Sequence, residues 1–183
     1  MLAQAEHGSG HEMAILITDT DEIITCVRQE LDNQCSNLQR RKMIQTVLNQ
    51  GTYLIKVNHL EEAIDIANQL APEHLEILTK DPRKIAEKIS AAGAIFIGPW
   101  TPEAIGDYLA GPSHVLPTSG AARCFSGLTV NDFFRRISTV EYNEEAFARE
   151  AEVITEFSQM ENLDGHGYAA KIRFDKSNLL RTH

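Results

Sequence analysis

Four short, mostly apolar runs at residues 13–18, 53–57, 75–78 and 94–97 alternate with longer stretches whose apolar residues recur every three to four positions. No other feature constrains the fold as much. Runs of this length suit strands buried on both faces, whereas the stretches between them carry one apolar helical face. Ile23, Ile24, Val27 and Leu31 form such a face behind Asp19 and Asp21, either of which can cap a helix. A second helical stretch, 40–50, stops at Gly51. Leu60–Leu70 sets Ala63, Ile66, Ala67 and Leu70 at helical spacing. The stretch 82–92 opens with Asp81-Pro82, a cap followed by proline at the first helical position, and ends at Gly93. The order β-α-α-β-α-β-α-β-α predicts an α/β fold, a three-layer, mostly parallel (incomplete Rossmann-like) sheet with right-handed crossovers.

Beyond residue 118 the pattern changes. Residues 131–138 have helical spacing, 139–142 are extended, and Glu144–Met160 is amphipathic, with Phe147, Ala151, Ile154 and Phe157 on one side. Leu163-Asp164-Gly165-His166-Gly167 interrupts the pattern before a last helical piece at 168–174. The sequence therefore divides into an α/β domain over 1–128 and a helical C-terminal tail over 129–183. This tail has little core of its own, and is expected to lie on another surface, such as that of a second subunit.

At 183 residues the chain has room for one substantial core plus an appendage. A net charge of −9 argues against nucleic acid or an anionic membrane as partner, because both select a basic face. No apolar run approaches the roughly 18–20 residues of a membrane span. The first residues show no basic-then-apolar signal pattern. Cys26, Cys35 and Cys124 are odd in number and form no CxxC pair, which favours reduced thiols in a cytoplasmic protein over a disulfide framework. The opening MLAQAEHGSG starts a domain with a half-turn of helix, as a truncated chain would.

Chemistry-bearing residues gather in four places. Gln4 and His7 are three apart, on one face of a helical turn, and can donate to one metal ion. Glu73-His74 places an acid beside an imidazole at a helix-to-strand turn, and imidazole is the side chain best matched to proton transfer near neutral pH. Asp107 and His114 are seven apart, separated by Gly111-Pro112, which puts His114 on an ordered loop just past a helix that spans about 102–110. His166 stands in the glycine-flanked break of the tail. Gln4, His7, Asp107 and His166 are thus candidate zinc donors of the nitrogen and oxygen type. Taken singly, each is better explained as a surface residue, and Glu73-His74 as a capped loop. His59 and His183 have no such company, and His11 is a spare beside His7. Neither GxGxxG nor GxxxxGK occurs, so no phosphate cradle for a dinucleotide is visible.

Read together, Gln4-Ala5-Glu6-His7-Gly8, Ala71-Pro72-Glu73-His74-Leu75, Gly106-Asp107-Tyr108 and Gly111-Pro112-Ser113-His114-Val115-Leu116-Pro117-Thr118 closely resemble histidinol dehydrogenase, in order and over nearly the whole chain. The resemblance covers the C-terminal part of that family's chain. It implies a zinc-dependent, NAD-linked oxidation of L-histidinol through an aldehyde to L-histidine, in histidine biosynthesis. It implies Gln4, His7, Asp107 and His166 as zinc ligands, His74 as the base for the alcohol proton, and Glu73 as the group that activates water in the second step. His114 and Glu161 match positions that contact substrate, as do the zinc-ligand positions and His74. The family is an intertwined homodimer whose tail completes the partner's site. Its upstream region carries most NAD contacts, so this chain alone is expected to be a half-enzyme with a poor cofactor site, working with a separate upstream half. The competing expectation is a non-catalytic remnant that keeps the fold, dimerises and binds zinc. A zinc hydrolase using His74 is the weakest alternative, since no HExxH spacing occurs.

Overall fold

The computed structural model describes residues 1–174; His183 lies outside the described residues. The chain divides into two compact units, Met1–Phe134 and Arg135–His183. The first contains α1 (Leu2–Ala5), β1 (Ala14–Thr18), α2 (Asp21–Cys35), α3 (Arg41–Gln50), β2 (Thr52–Lys56), α4 (Leu60–Leu70), β3 (His74–Ile77), α5 (Pro82–Ala86), β4 (Ala94–Ile97) and α6 (Glu103–Tyr108). Short 3-10 turns follow at Ala121–Arg123 and Val130–Phe133.

All four predicted strands form, and each pairs in parallel. β1 lies beside β2 with Ala14 opposite Thr52, and β3 beside β4 with His74 opposite Ala94 and Glu76 opposite Phe96. Among the described residues these are two separate two-stranded sheets rather than one continuous sheet. A parallel pair of four or five residues is marginal by itself and depends on helices for burial. α2, α3 and α4 pack on the first pair, and α5 on the second. A buried core cluster joins α1 to α2 and α3, where Ala5, Cys35, Ile44 and Val47 are buried and Leu2, Leu38 and Leu48 pack against them. This fixes α1, and with it Gln4 and the turn that carries His7.

Two helices differ from expectation for local reasons. α5 ends at Ala86, not near residue 92, because the Asn68 amide of α4 takes over the backbone beyond it. Asn68 Nδ2 donates to the Lys88 carbonyl (3.1 Å), and Asn68 Oδ1 accepts from Ser90 N–H (2.7 Å). The helix expected over 131–138 is only the 3-10 turn Val130–Phe133, closed by the reciprocal Thr129–Asp132 capping box. Phe133, Phe134 and Ile137 are exposed, so among the described residues no packing partner stabilises a longer helix there.

The second unit is built on α7 (Glu144–Met160) and α8 (Asp164–Lys171), with a 3-10 turn at Ile172–Phe174. Asn143 caps α7 by accepting from Ala146 N–H (2.8 Å). The break between the helices is shorter than expected. Asn162 adopts a left-handed φ of 57°, and Leu163 N–H donates to the Ser158 carbonyl (2.7 Å). α8 then restarts at Asp164, which puts His166 on a helix rather than in a loop. No helix among the described residues is long and apolar enough to cross a membrane.

Candidate functional site

His74 opens β3, and Glu76 follows on the same face, as the two-residue period of a strand requires. Glu76 Oε1 accepts from the backbone N–H of Glu103 (2.8 Å), the first residue of α6. Pro102, at the N-cap, offers no side-chain acceptor, so a strand residue supplies the cap. That contact brings the start of α6 over His74. Glu103 and Asp107 are four apart on α6 and so share one helical face. One ligand atom from each of His74, Glu103 and Asp107 lies within 4.8 Å of the others.

The close packing of α6 depends on Gly106. A Cβ there would stand 2.7 Å from Phe96 Cε1 and 2.8 Å from Cζ. The Phe96 ring is buried, and packs tilted against the His74 imidazole at 5.9 Å between centroids. On the other flank, a Cβ at Gly93 would stand 2.5 Å from the Glu73 carbonyl oxygen. Glycine there lets that oxygen accept from Ala94 N–H (2.8 Å). The Glu73-His74 turn also follows Ala71, a fully buried residue held at φ 48°, a left-handed conformation that an alanine rarely adopts.

Polar satisfaction in the cluster is incomplete. His74 Nε2 and Glu103 Oε1 are both buried, have no hydrogen-bond partner among the described residues, and face each other at 3.8 Å. Burial raises the Glu103 carboxyl above its ordinary range, and the hydrogen bond and charge of Asp107 raise it further; His74 and His7 partly oppose the rise. His7 is therefore near enough for its charge to act on Glu103.

Gln4 and His7 lie together on and just after α1. His7 Nδ1 is 3.2 Å from the Gln4 carbonyl oxygen, which can only accept. The ring proton belongs on Nδ1, and the Nε2 lone pair is left free, as in imidazoles that bind metals. Arg40 Nη2 donates to the His7 carbonyl (3.1 Å) and steadies the turn. Gln4, His7 and Asp107 carry nitrogen and oxygen donors of the type that suits Zn²⁺, but among the described residues the donor group that converges is His74, Glu103 and Asp107, without His7. His114 is exposed on its loop, where the Ser113 hydroxyl accepts from Val115 N–H (3.1 Å). In the second unit, Glu161 and His166 line one open groove of about 590 Å³, together with Tyr142, Phe147, Ile154 and Phe157.

The sequence pattern had singled out His74 and Asp107, and the structure brings them together. It adds Glu103 and Glu76, which the motifs did not flag. Glu103 was detectable as a second carboxylate one helical turn before Asp107, whereas Glu76 acts across 27 residues and left no local signal.

Residues 1–174 match the family model described as histidinol dehydrogenase. The histidinol dehydrogenase of Heliobacterium mobile is 41% identical over 175 residues, 96% of this chain and 41% of the relative. That of Listeria monocytogenes is 42% identical over 179 residues, 97% of this chain and 42% of the relative. The crystal structure of histidinol dehydrogenase from Elizabethkingia anophelis superposes with a TM-score of 0.90 at 30% identity, covering 97% of this chain and 40% of that one. The chain spans about two fifths of the length of these relatives.

Proposed function

Because this chain belongs to the histidinol dehydrogenase family, we propose that it supplies the metal- and proton-handling part of an NAD-linked oxidation of L-histidinol to L-histidine. The observation that supports this most is the convergence of His74, Glu103 and Asp107 donor atoms within 4.8 Å. In this proposal Gln4, His7, Asp107 and His166 are the residues that would hold zinc. The bound ion would supply Lewis acidity and hold the substrate's amine and imidazole in place.

His74 removes the carbinol proton as hydride leaves the carbon for NAD, giving the aldehyde. Glu73 would then take a proton from water as the hydroxide adds to the aldehyde carbon; loss of a second hydride to an NAD acceptor and of the remaining acid proton to solvent would leave the carboxylate. Each histidinol would require two hydride acceptors, the chemistry that NAD supplies when bound. His114 and Glu161 contact the substrate and hold it in line for both transfers. The NAD contacts belong mostly to the part of the family's chain that this one does not span.

We further propose that the domain over 1–128 carries most of the site and that the tail over 129–183 docks on a partner subunit in a homodimer. Tyr142, Phe157, Met160 and Tyr168 of the tail are more than half exposed, which supports a covering surface elsewhere. The free thiols Cys26, Cys35 and Cys124 suit a cytoplasmic location.

The test is histidinol-dependent NADH formation by the purified chain with zinc, alone and mixed with the complementary upstream part of a relative. Activity on mixing, lost in His74→Ala, is expected. Activity that survives His74→Ala would remove the base from the scheme.

A further inference from the structure

We propose that Glu103 is a positioning residue for this reaction: its carboxylate holds the His74 proton on Nε2, orients the ring, and leaves Nδ1 as the basic nitrogen. The inference rests on the proposed role of His74 as base and adds a residue to it.

The geometry carries the argument. Buried polar atoms without partners are costly and uncommon, and here two occur face to face. Nε2 of His74 and Oε1 of Glu103 are 3.8 Å apart, about 1 Å beyond a hydrogen bond. Both side chains are more than four-fifths buried, which limits the water available to satisfy either atom. A carboxylate can only accept, so a neutral imidazole facing it places its proton on the facing nitrogen. Catalytic hydrogen bonds are often long in an unliganded site and shorten when it is loaded.

Glu103 is placed for this role rather than free to wander. Its backbone N–H is anchored on Glu76 Oε1, two residues along the strand from His74. One helical turn on, Asp107 brings a second carboxylate within 4.8 Å of the pair. The His74 ring packs tilted against Phe96 on one side.

The test uses the full chain with isotopically labelled histidine and long-range proton–nitrogen spectra at a pH where the imidazoles are neutral. His74→Gln assigns the His74 signals. The wild-type chain should show His74 as the Nε2–H tautomer. Glu103→Ala should convert it to a mixture of tautomers and leave the other histidines unchanged, while Glu103→Gln, which can still accept, should keep most of the Nε2–H form. In the activity assay, Glu103→Ala should lower kcat about 10–100-fold, as loss of an orienting partner does, with a smaller change in KM and partial rescue by glutamine. An Nδ1–H tautomer in the wild-type chain, or a tautomer unchanged in Glu103→Ala, overturns the inference. Turnover that survives His74→Ala would instead defeat the role of His74 itself, so the two failures are separable.

Discussion

Replacing Gly106 by alanine places a methyl group against the ring that braces His74. The new Cβ would stand 2.7 and 2.8 Å from two Phe96 carbons. Carbon atoms in contact rest at about 3.5–4.0 Å, so the ring or the helix must yield by about 1 Å. Phe96 has little room: it is 7% exposed, its strand is bonded to β3, and the His74 ring lies beyond it. Overpacking of this kind costs about 1–3 kcal/mol, against about 1 kcal/mol gained from alanine's better helix propensity. The expected net loss is about 0–2 kcal/mol, and any shift of α6 carries Glu103 and Asp107 away from His74. Coupling therefore gives a sharper test than the single mutant. Phe96→Leu alone destabilises by leaving part of the ring's space empty. In the Gly106→Ala chain it should relieve the clash, giving a favourable coupling of about 1–2 kcal/mol in a double-mutant cycle. Urea unfolding followed by circular dichroism measures all four chains. Strict additivity, to within about 0.5 kcal/mol, would refute the claim that α6 is seated on the Phe96 ring.

Three further outcomes follow from local geometry. Glu12 accepts from the backbone N–H groups of Ser9 (2.6 Å) and Gly10 (2.8 Å), and these bonds, led by that from Ser9, hold its carboxyl at about 2 against an ordinary 4.5. A lowered acid stabilises the turn above its unfolded value and loses that contribution as pH falls towards about 2. Amide exchange at Ser9 and Gly10 should therefore accelerate relative to neighbouring turns between these values, and Glu12→Gln should abolish the dependence. Asn143→Ala removes the α7 cap and should destabilise the second unit by about 1 kcal/mol in thermal unfolding; an unchanged midpoint would mean that the cap is idle. Cys26 and Cys124 are exposed and Cys35 is buried, so a thiol reagent should modify two cysteines quickly and the third only on unfolding.

Local signals made the elements legible. Leu60–Leu70 and Glu144–Met160 match the stretches marked out by apolar spacing, although in the second Ile154 and Phe157 of the expected inner face are exposed. α5 was overestimated because the side chain that ends it, Asn68, lies on another helix. The same locality limited the candidate site. His74 and Asp107 stood out through their motifs. Glu103, one turn before Asp107, went unnoticed because its importance comes from facing His74 across two elements. Glu76 was invisible for the same reason, since its role as a cap depends on the strand and helix being folded. The pairing of the strands two by two could not be read from their composition, because parallel strands of similar apolar content carry no label for their neighbours.

The most direct test of the account is the visible spectrum of the chain loaded with Co²⁺, which reports nitrogen and oxygen ligation where zinc would bind, followed during titration with L-histidinol. The account predicts d–d bands in the wild-type chain, a change in those bands that saturates with histidinol, and loss of both in Asp107→Asn and His7→Ala. Bands that persist in both variants, or that ignore histidinol, would contradict it.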